Sequence, residues 1–243
     1  MNILKNIAYK NLQLNKKRNI VTVIGIILSV ALITALSSLV VSFKESIINL
    51  EKHINGDFHY SFDGVQSNDL GIFENNRSIE NFYKVGTLGY AKINTENEYK
   101  PYAYVITMDK NDFNSVGIEL TDGELPKNNN EIIIPRHLRN NGKVDLKVGD
   151  TITLEVGSRM SEGYALGQNN PYEETNNETI ENTVSVTYKV VGIFERPSTA
   201  LEPFSSPGYT FITTNASGVK NYTVFARYTG KDLKMNIKLL LVF

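Results

Sequence analysis

From Ile20 to Val41 the chain reads IVTVIGIILSVALITALSSLVV, 22 residues without a charge or a proline. At about 1.5 Å of rise per residue, a helix over this run covers roughly 33 Å, enough to cross a hydrocarbon core about 30 Å thick. Its polar members, Thr22, Ser29, Thr34, Ser37 and Ser38, can return their hydroxyl hydrogens to carbonyls of the same helix. The pattern predicts a spanning helix over 20–41. Upstream, Ile3, Leu4, Ile7, Ala8 and Leu12 fall near one helical face and Lys5 and Lys10 elsewhere, the pattern of a helix lying along a membrane surface. Downstream, Phe43, Ile47, Leu50 and Ile54 recur at spacings of 4, 3 and 4 while Lys44, Glu45, Glu51 and Lys52 fill other faces. That is a coiled-coil-like seam on a stalk over 42–56, and it calls for a second helix to pack against. Gly56-Asp57 ends the stalk, glycine being the usual left-handed stop.

Beyond residue 57 the period changes to two. Phe58, Tyr60 and Phe62 alternate with His59, Ser61 and Asp63, predicting a half-buried strand. Further strands are predicted at 88–94, 102–108, 131–135, 151–156, 183–194 (with a bulge at Gly192), 209–213 and 222–228. Short helices are predicted at 78–84, 109–116 and 136–141. The polar residues 157–182, crowded with glycines, prolines and acidic pairs, predict a long surface loop. The expected fold class is α+β: one N-terminal transmembrane helix extended into a stalk, then a mixed α+β domain of two lobes over 57–243.

Charge orients the helix. Residues 1–19 hold Lys5, Lys10, Lys16, Lys17 and Arg18 and no acid, whereas the whole chain carries −1, so the remainder sums to −6. A short basic flank stays in the cytoplasm, which leaves 57–243 outside the cell membrane in a single-pass arrangement. The apolar run is too long for the roughly 7–15 residue core of a cleaved signal, so a retained anchor is expected. The chain is 41% hydrophobic and 10% aromatic, with thirteen tyrosines and no cysteine, so the outer part can build a packed core but no disulfide framework. The triplets at Asn76, Asn177, Asn215 and Asn221 match glycan acceptors, but in so Asn-rich a chain they read as chance.

Catalytic chemistry finds little support. His53, His59 and His137 form no i,i+4 pair, and His59 with Asp57 or Asp63 is a metal site only on paper, since polar residues on an outer strand face are commonly just solvated. Ser158 and Ser161 have no G-x-S-x-G around them, Glu173-Glu174 reads as a solvated pair, and no G-x-x-x-x-G-K-[ST] occurs. The chain is not expected to be an enzyme or to need a cofactor, and its acidic outer part argues against nucleic acid.

Several segments, in this order, resemble the FtsX-like permease family, the membrane subunits of MacB-type ABC transporters. They are Asn11-Leu12 with Lys16-Lys17-Arg18, Gly25 to Leu32, Leu120-Thr121-Asp122-Gly123-Glu124-Leu125-Pro126, Asn130 to Ile134, Val148-Gly149-Asp150-Thr151-Ile152, and Tyr188 to Phe194. The resemblance implies four membrane helices with a large extracytoplasmic domain after the first, a cytoplasmic ATPase partner and a dimeric permease. It implies that motion driven by ATP is passed across the bilayer to expel peptides, antibiotics or lipoproteins, or to regulate a cell-wall hydrolase. On that reading Lys16, Lys17 and Arg18 form the cytoplasmic flank. Gly25 and Ser29 form a small-residue patch against a second permease copy or the remaining helices, and Phe43, Ile47, Leu50 and Ile54 form the stalk seam. No further spanning segment follows Tyr228, so a truncated product, a fragment or half of a split system is expected. The alternative is a membrane-anchored binding or scaffold module without ATP coupling.

Overall fold

The computed structural model describes residues 3–113, 116–219 and 221–229. The chain forms two compact units, residues 1–51 and 52–243. In the first, helix α1 (Ile3–Leu14) is followed after Asn15 by the 40-residue helix α2 (Lys16–Asn55), whose C-terminal residues belong to the second unit. The predicted span and stalk are thus one unbroken helix. It stops where the sequence indicates: Gly56 takes φ +99° and its N–H closes on the Lys52 carbonyl at 2.9 Å.

Among the described residues, the second unit is built on ten strands. These are β1 (Tyr60–Gln66), β2 (Ile79–Lys92), β3 (Tyr102–Met108), β4 (Leu120–Gly123), β5 (Glu131–Pro135), β6 (Thr151–Ser161), β7 (Tyr164–Ala165), β8 (Thr179–Phe194), β9 (Gly208–Thr213) and β10 (Asn221–Tyr228), with short helices α3 (Leu70–Glu74) and α4 (His137–Gly142) between them. The strands, with the short helices between them, make the expected α+β domain and join one sheet, in the order β1-β10-β2-β3-β9-β5-β8-β6-β7, with β4 beside β8. The β3–β9 and β5–β8 pairs are parallel; the other pairs are antiparallel. The sheet also meets itself, because β6 returns to β2 at Tyr90 and Gly157. Six strands, β2-β3-β9-β5-β8-β6, therefore close into a ring, and β10 and β1 extend from it as a wing.

Glycine makes the closure possible. A Cβ on Gly89, which sits at φ +141°, would lie 2.4 Å from the Gly157 carbonyl oxygen, and a Cβ on Gly157 would lie 2.4 Å from that of Glu181. Alternation then sorts the strand residues. Val105, Ile132, Ile134, Leu154, Val190 and Phe211 belong to one hydrophobic cluster, while their neighbours Ile106, Ile133, Val191 and Ile212 belong to another. The wing has a third cluster, in which Val224, Ala226 and Tyr228 of β10 pack with Phe73 of α3, while Phe225 turns to the opposite face.

Three predicted elements differ. The predicted helix 78–84 is instead a turn residue, Ser78, and the start of β2: Phe82 packs near Phe73 (5.9 Å between rings) while Tyr83 stacks on Phe225 at 4.9 Å, so both faces of the segment are claimed. Residues 109–113 are turns, closed by the Asp112 N–H on the Asp109 carbonyl, and Asn114 and Ser115 of the predicted helix lie outside the described residues. The 157–182 loop is shorter than expected, since β6 runs on to Ser161, β7 forms a hairpin with it and β8 begins at Thr179. Gly192 lies next to a register shift between β5 and β8, as predicted.

Candidate functional site

The polar residues of the apolar run bond as its composition requires. Thr22 Oγ1 donates to the Arg18 carbonyl (3.0 Å), Ser29 Oγ to Gly25 (2.8 Å), Thr34 Oγ1 to Val30 (2.8 Å) and Ser37 Oγ to Ile33 (2.8 Å). These four hydroxyls are thereby matched inside the helix, as a lipid environment demands. The apolar side chains of the run are exposed, and α2 is long and apolar enough to cross a membrane. Gly25 and Ser29 lie one turn apart, and a Cβ on Gly25 would meet nothing within 4 Å, so this stretch of helix presents bare backbone. Lys16, Lys17 and Arg18 are exposed in the first turn of α2. Phe43, Ile47, Leu50 and Ile54 share one stripe of α2, all exposed.

In the second unit the last turn of the helix is tied to the strand domain. Thr199, in the β8–β9 connection, donates its N–H (2.7 Å) and its hydroxyl (3.2 Å) to the Ile54 carbonyl, one of the acceptors a helix end leaves unmet. The Thr199 hydroxyl also contacts Asn55 Oδ1. Asp57 joins Lys52 (3.3 Å) to Arg227 of β10 (2.5 Å), and Arg227 Nε reaches Glu80 of β2 at 3.2 Å. Phe58 then packs edge-on against Phe225 (4.8 Å) and Tyr83 (6.4 Å). Backbone, charge and rings together fix the point where the helix enters the sheet.

Asp57, His59 and Asp63 each have protein partners of their own. His59 Nδ1 accepts the Tyr228 N–H at 3.0 Å, Asp57 is held by Lys52 and Arg227, and Asp63 accepts from the Thr223 hydroxyl at 2.9 Å. No group of three or more His, Cys, Asp or Glu side chains suited to a metal occurs among the described residues. Ser158 and Ser161 lie on β6, with Ser161 Oγ donating to the Asn176 carbonyl at 2.7 Å, and Glu173 and Glu174 are exposed.

Two polar clusters escaped the sequence reading. In the first, Arg159 of β6 is 1% exposed and organises the residues taken for a loose loop. Its guanidinium donates to the carbonyls of Gly167 (3.1 Å), Asn170 (2.7 Å) and Pro171 (3.1 Å), and pairs with both oxygens of Glu178, whose side chain is also fully buried. Tyr90 and Tyr102 lie against the same guanidinium, with ring centres at 6.0 and 5.6 Å. Arg159 therefore buttresses the seam where β6 meets β2.

The second cluster surrounds Glu202, a fully buried carboxylate between β8 and β9. One oxygen accepts from Lys100 Nζ (2.8 Å), meets His137 Nε2 (2.7 Å) and lies 3.7 Å from Arg196 Nε, and the other accepts the Thr210 N–H (2.8 Å). Burial alone would raise the carboxyl pKa. His137 and Lys100 outweigh it and bring the value down to about 2. Lys100 also donates to Ser206 Oγ at 2.8 Å and sits over the Tyr209 ring at 5.1 Å. A cleft of about 350 Å³ opens over these groups, lined by Asn97, Tyr99, Asn141, Phe204 and Ser205 in addition to Lys100, His137, Arg196 and Ser206.

Residues 20–235 match the MacB-like periplasmic core domain, and the chain belongs to that family. In class it stands with the FtsX/MacB-like permeases, membrane subunits of ABC-type transporters that carry an extracytoplasmic domain. Similar solved structures include a domain of a protein described as a permease from Porphyromonas gingivalis (14% identity, 74% of this chain and 70% of that one, TM-score 0.43). Two others are the periplasmic region of MacB from Actinobacillus actinomycetemcomitans (8%, 74% and 72%, 0.41) and the extracellular domain of the ABC-type transporter YknZ from Gram-positive bacteria (9%, 76% and 84%, 0.40). A search of the curated proteins finds no match.

Proposed function

We propose that this chain is a membrane subunit that couples a cytoplasmic ATPase to its extracytoplasmic domain, in a transport or mechanotransmission complex for export of, or resistance to, peptides, antibiotics or lipoproteins. The observation that carries the reading is the tie at the end of α2. A helix whose last carbonyls and first following residues are bonded to the β8–β9 connection, β10 and β2 can pass a displacement into the sheet, where a free loop would absorb it. ATP hydrolysis belongs to the partner, in contact with residues 1–19. The exposed seam at Phe43, Ile47, Leu50 and Ile54, and the Gly25–Ser29 patch, take up a second permease copy or further spanning helices in the lipid.

The test is purification of the tagged chain from its own membranes in mild detergent. Recovery with a subunit that hydrolyses ATP, lost when residues 2–15 are deleted, is the expected result. Recovery as a monomer without ATPase activity would instead favour the anchored binding module.

A further inference from the structure

The cleft over Glu202 has a composition that the coupling role does not call for. Its floor holds two basic side chains, Lys100 and Arg196, against the single carboxylate of Glu202, and none of the residues lining the opening is acidic. One positive charge is left over beside a concave space. Hydrogen bonding is incomplete in the same place. Arg196 Nη2 donates to the Glu202 and Pro203 carbonyls (3.2 and 3.3 Å), but its Nε and the Nδ1 of His137 are buried without a hydrogen-bond partner. Buried polar atoms of this kind are uncommon and call for an explanation. Rings frame the opening: Phe204, 77% exposed, lies under the Arg196 guanidinium at 4.5 Å, and Tyr99 is 76% exposed. Large aromatic rings standing in water beside a basic floor, with the amides of Asn97 and Asn141 alongside, match the usual make-up of a ligand cleft, apolar walls with a few polar groups that converge.

We propose that this cleft binds an organic monocarboxylate, its charged group on Arg196 and Lys100 and its apolar body against Phe204 and Tyr99. A single negative charge balances the excess, whereas a phosphate dianion would overshoot it, and the planar fork of arginine suits a carboxylate. The inference is independent of the ATPase coupling, and failure of either leaves the other standing.

The probe is N-acetyl-phenylalanine, titrated into the full chain in detergent and followed by ligand-observed NMR, with N-acetyl-phenylalaninamide and inorganic phosphate in parallel. For a ligand of this size a Kd of about 1 mM is expected. Phe204→Ala alters an exposed side chain, so its thermal melt should match that of the parent chain. Arg196→Gln also removes a cation beside the buried Glu202 carboxylate and two bonds to the Glu202 and Pro203 carbonyls, so its melt should fall and its affinity is read well below that melt. Arg196→Gln should weaken binding roughly tenfold through loss of a charge-assisted contact, and Phe204→Ala should weaken it several-fold. The amide should not bind. Absence of binding at about 10 mM, well above the range expected for so small a ligand, overturns the proposal. So does equal binding of the amide or tighter binding of phosphate, and so does affinity unchanged by both substitutions.

Discussion

Two buried charges set the energetics at the level of single residues. Arg159 and Glu178 are both inaccessible, so removing the guanidinium leaves a carboxylate without compensation in the interior. Arg159→Met should cost about 3–5 kcal/mol in chemical denaturation of the full chain in detergent, and a loss under about 1 kcal/mol would show that the residue is not structural. Glu202 makes a pH prediction. Its folded carboxyl pKa is about 2 against an ordinary 4.5, so its contribution is complete above about 4.5 and disappears as pH falls towards 2. The loss over that window should approach about 3 kcal/mol, read from denaturation midpoints at a series of pH values, and Glu202→Gln should flatten that part of the profile. Neither centre was legible in the sequence. Lys100 and Glu202 are 102 positions apart, and only the sheet order brings them together with His137.

At the level of elements, legibility followed periodicity. The uncharged run, the 4-3-4 seam and the strict alternation of Thr151–Val156 were each sufficient for α2, its C-terminal end and the first half of β6. The second half of β6 was hidden by a bulge. Register with β8 slips between Val156 and Ser158, opposite Asn182 in the left-handed region at φ +53°, so the inward position moves from even to odd numbers and falls on Arg159. A pattern that changes parity at a glycine and then places a charge inside reads as a loop. At the start of β2, Phe82 and Tyr83 are adjacent and both packed, which resembles a helical face until the partners on each side are known. Gly157→Val should destabilise the chain by about 2 kcal/mol, because the new Cβ meets a backbone carbonyl that cannot swing away. Thermal melts of purified protein will check the sign. Gly25→Leu is the opposite case: the added side chain has open space within the chain, so folding should be unchanged while self-association in detergent, measured by crosslinking, weakens.

For the whole molecule the decisive question is topology in the membrane. A basic, acid-free segment over residues 1–19 and an acidic domain after the apolar run predict that protease added to intact cells digests residues beyond 57 and spares a short N-terminal tag. An untouched domain with a digested tag would reverse the assignment. The ring at the centre of that domain has a further consequence. Its closure between β2 and β6 has one ladder pair, Tyr90 with Gly157, whereas the neighbouring ladders between β3 and β9 and between β6 and β8 run for many residues. Amide protons beside that pair should therefore trade with deuterium sooner than those of Val105 or Phe211, and a pull that opens the hoop would part it there first.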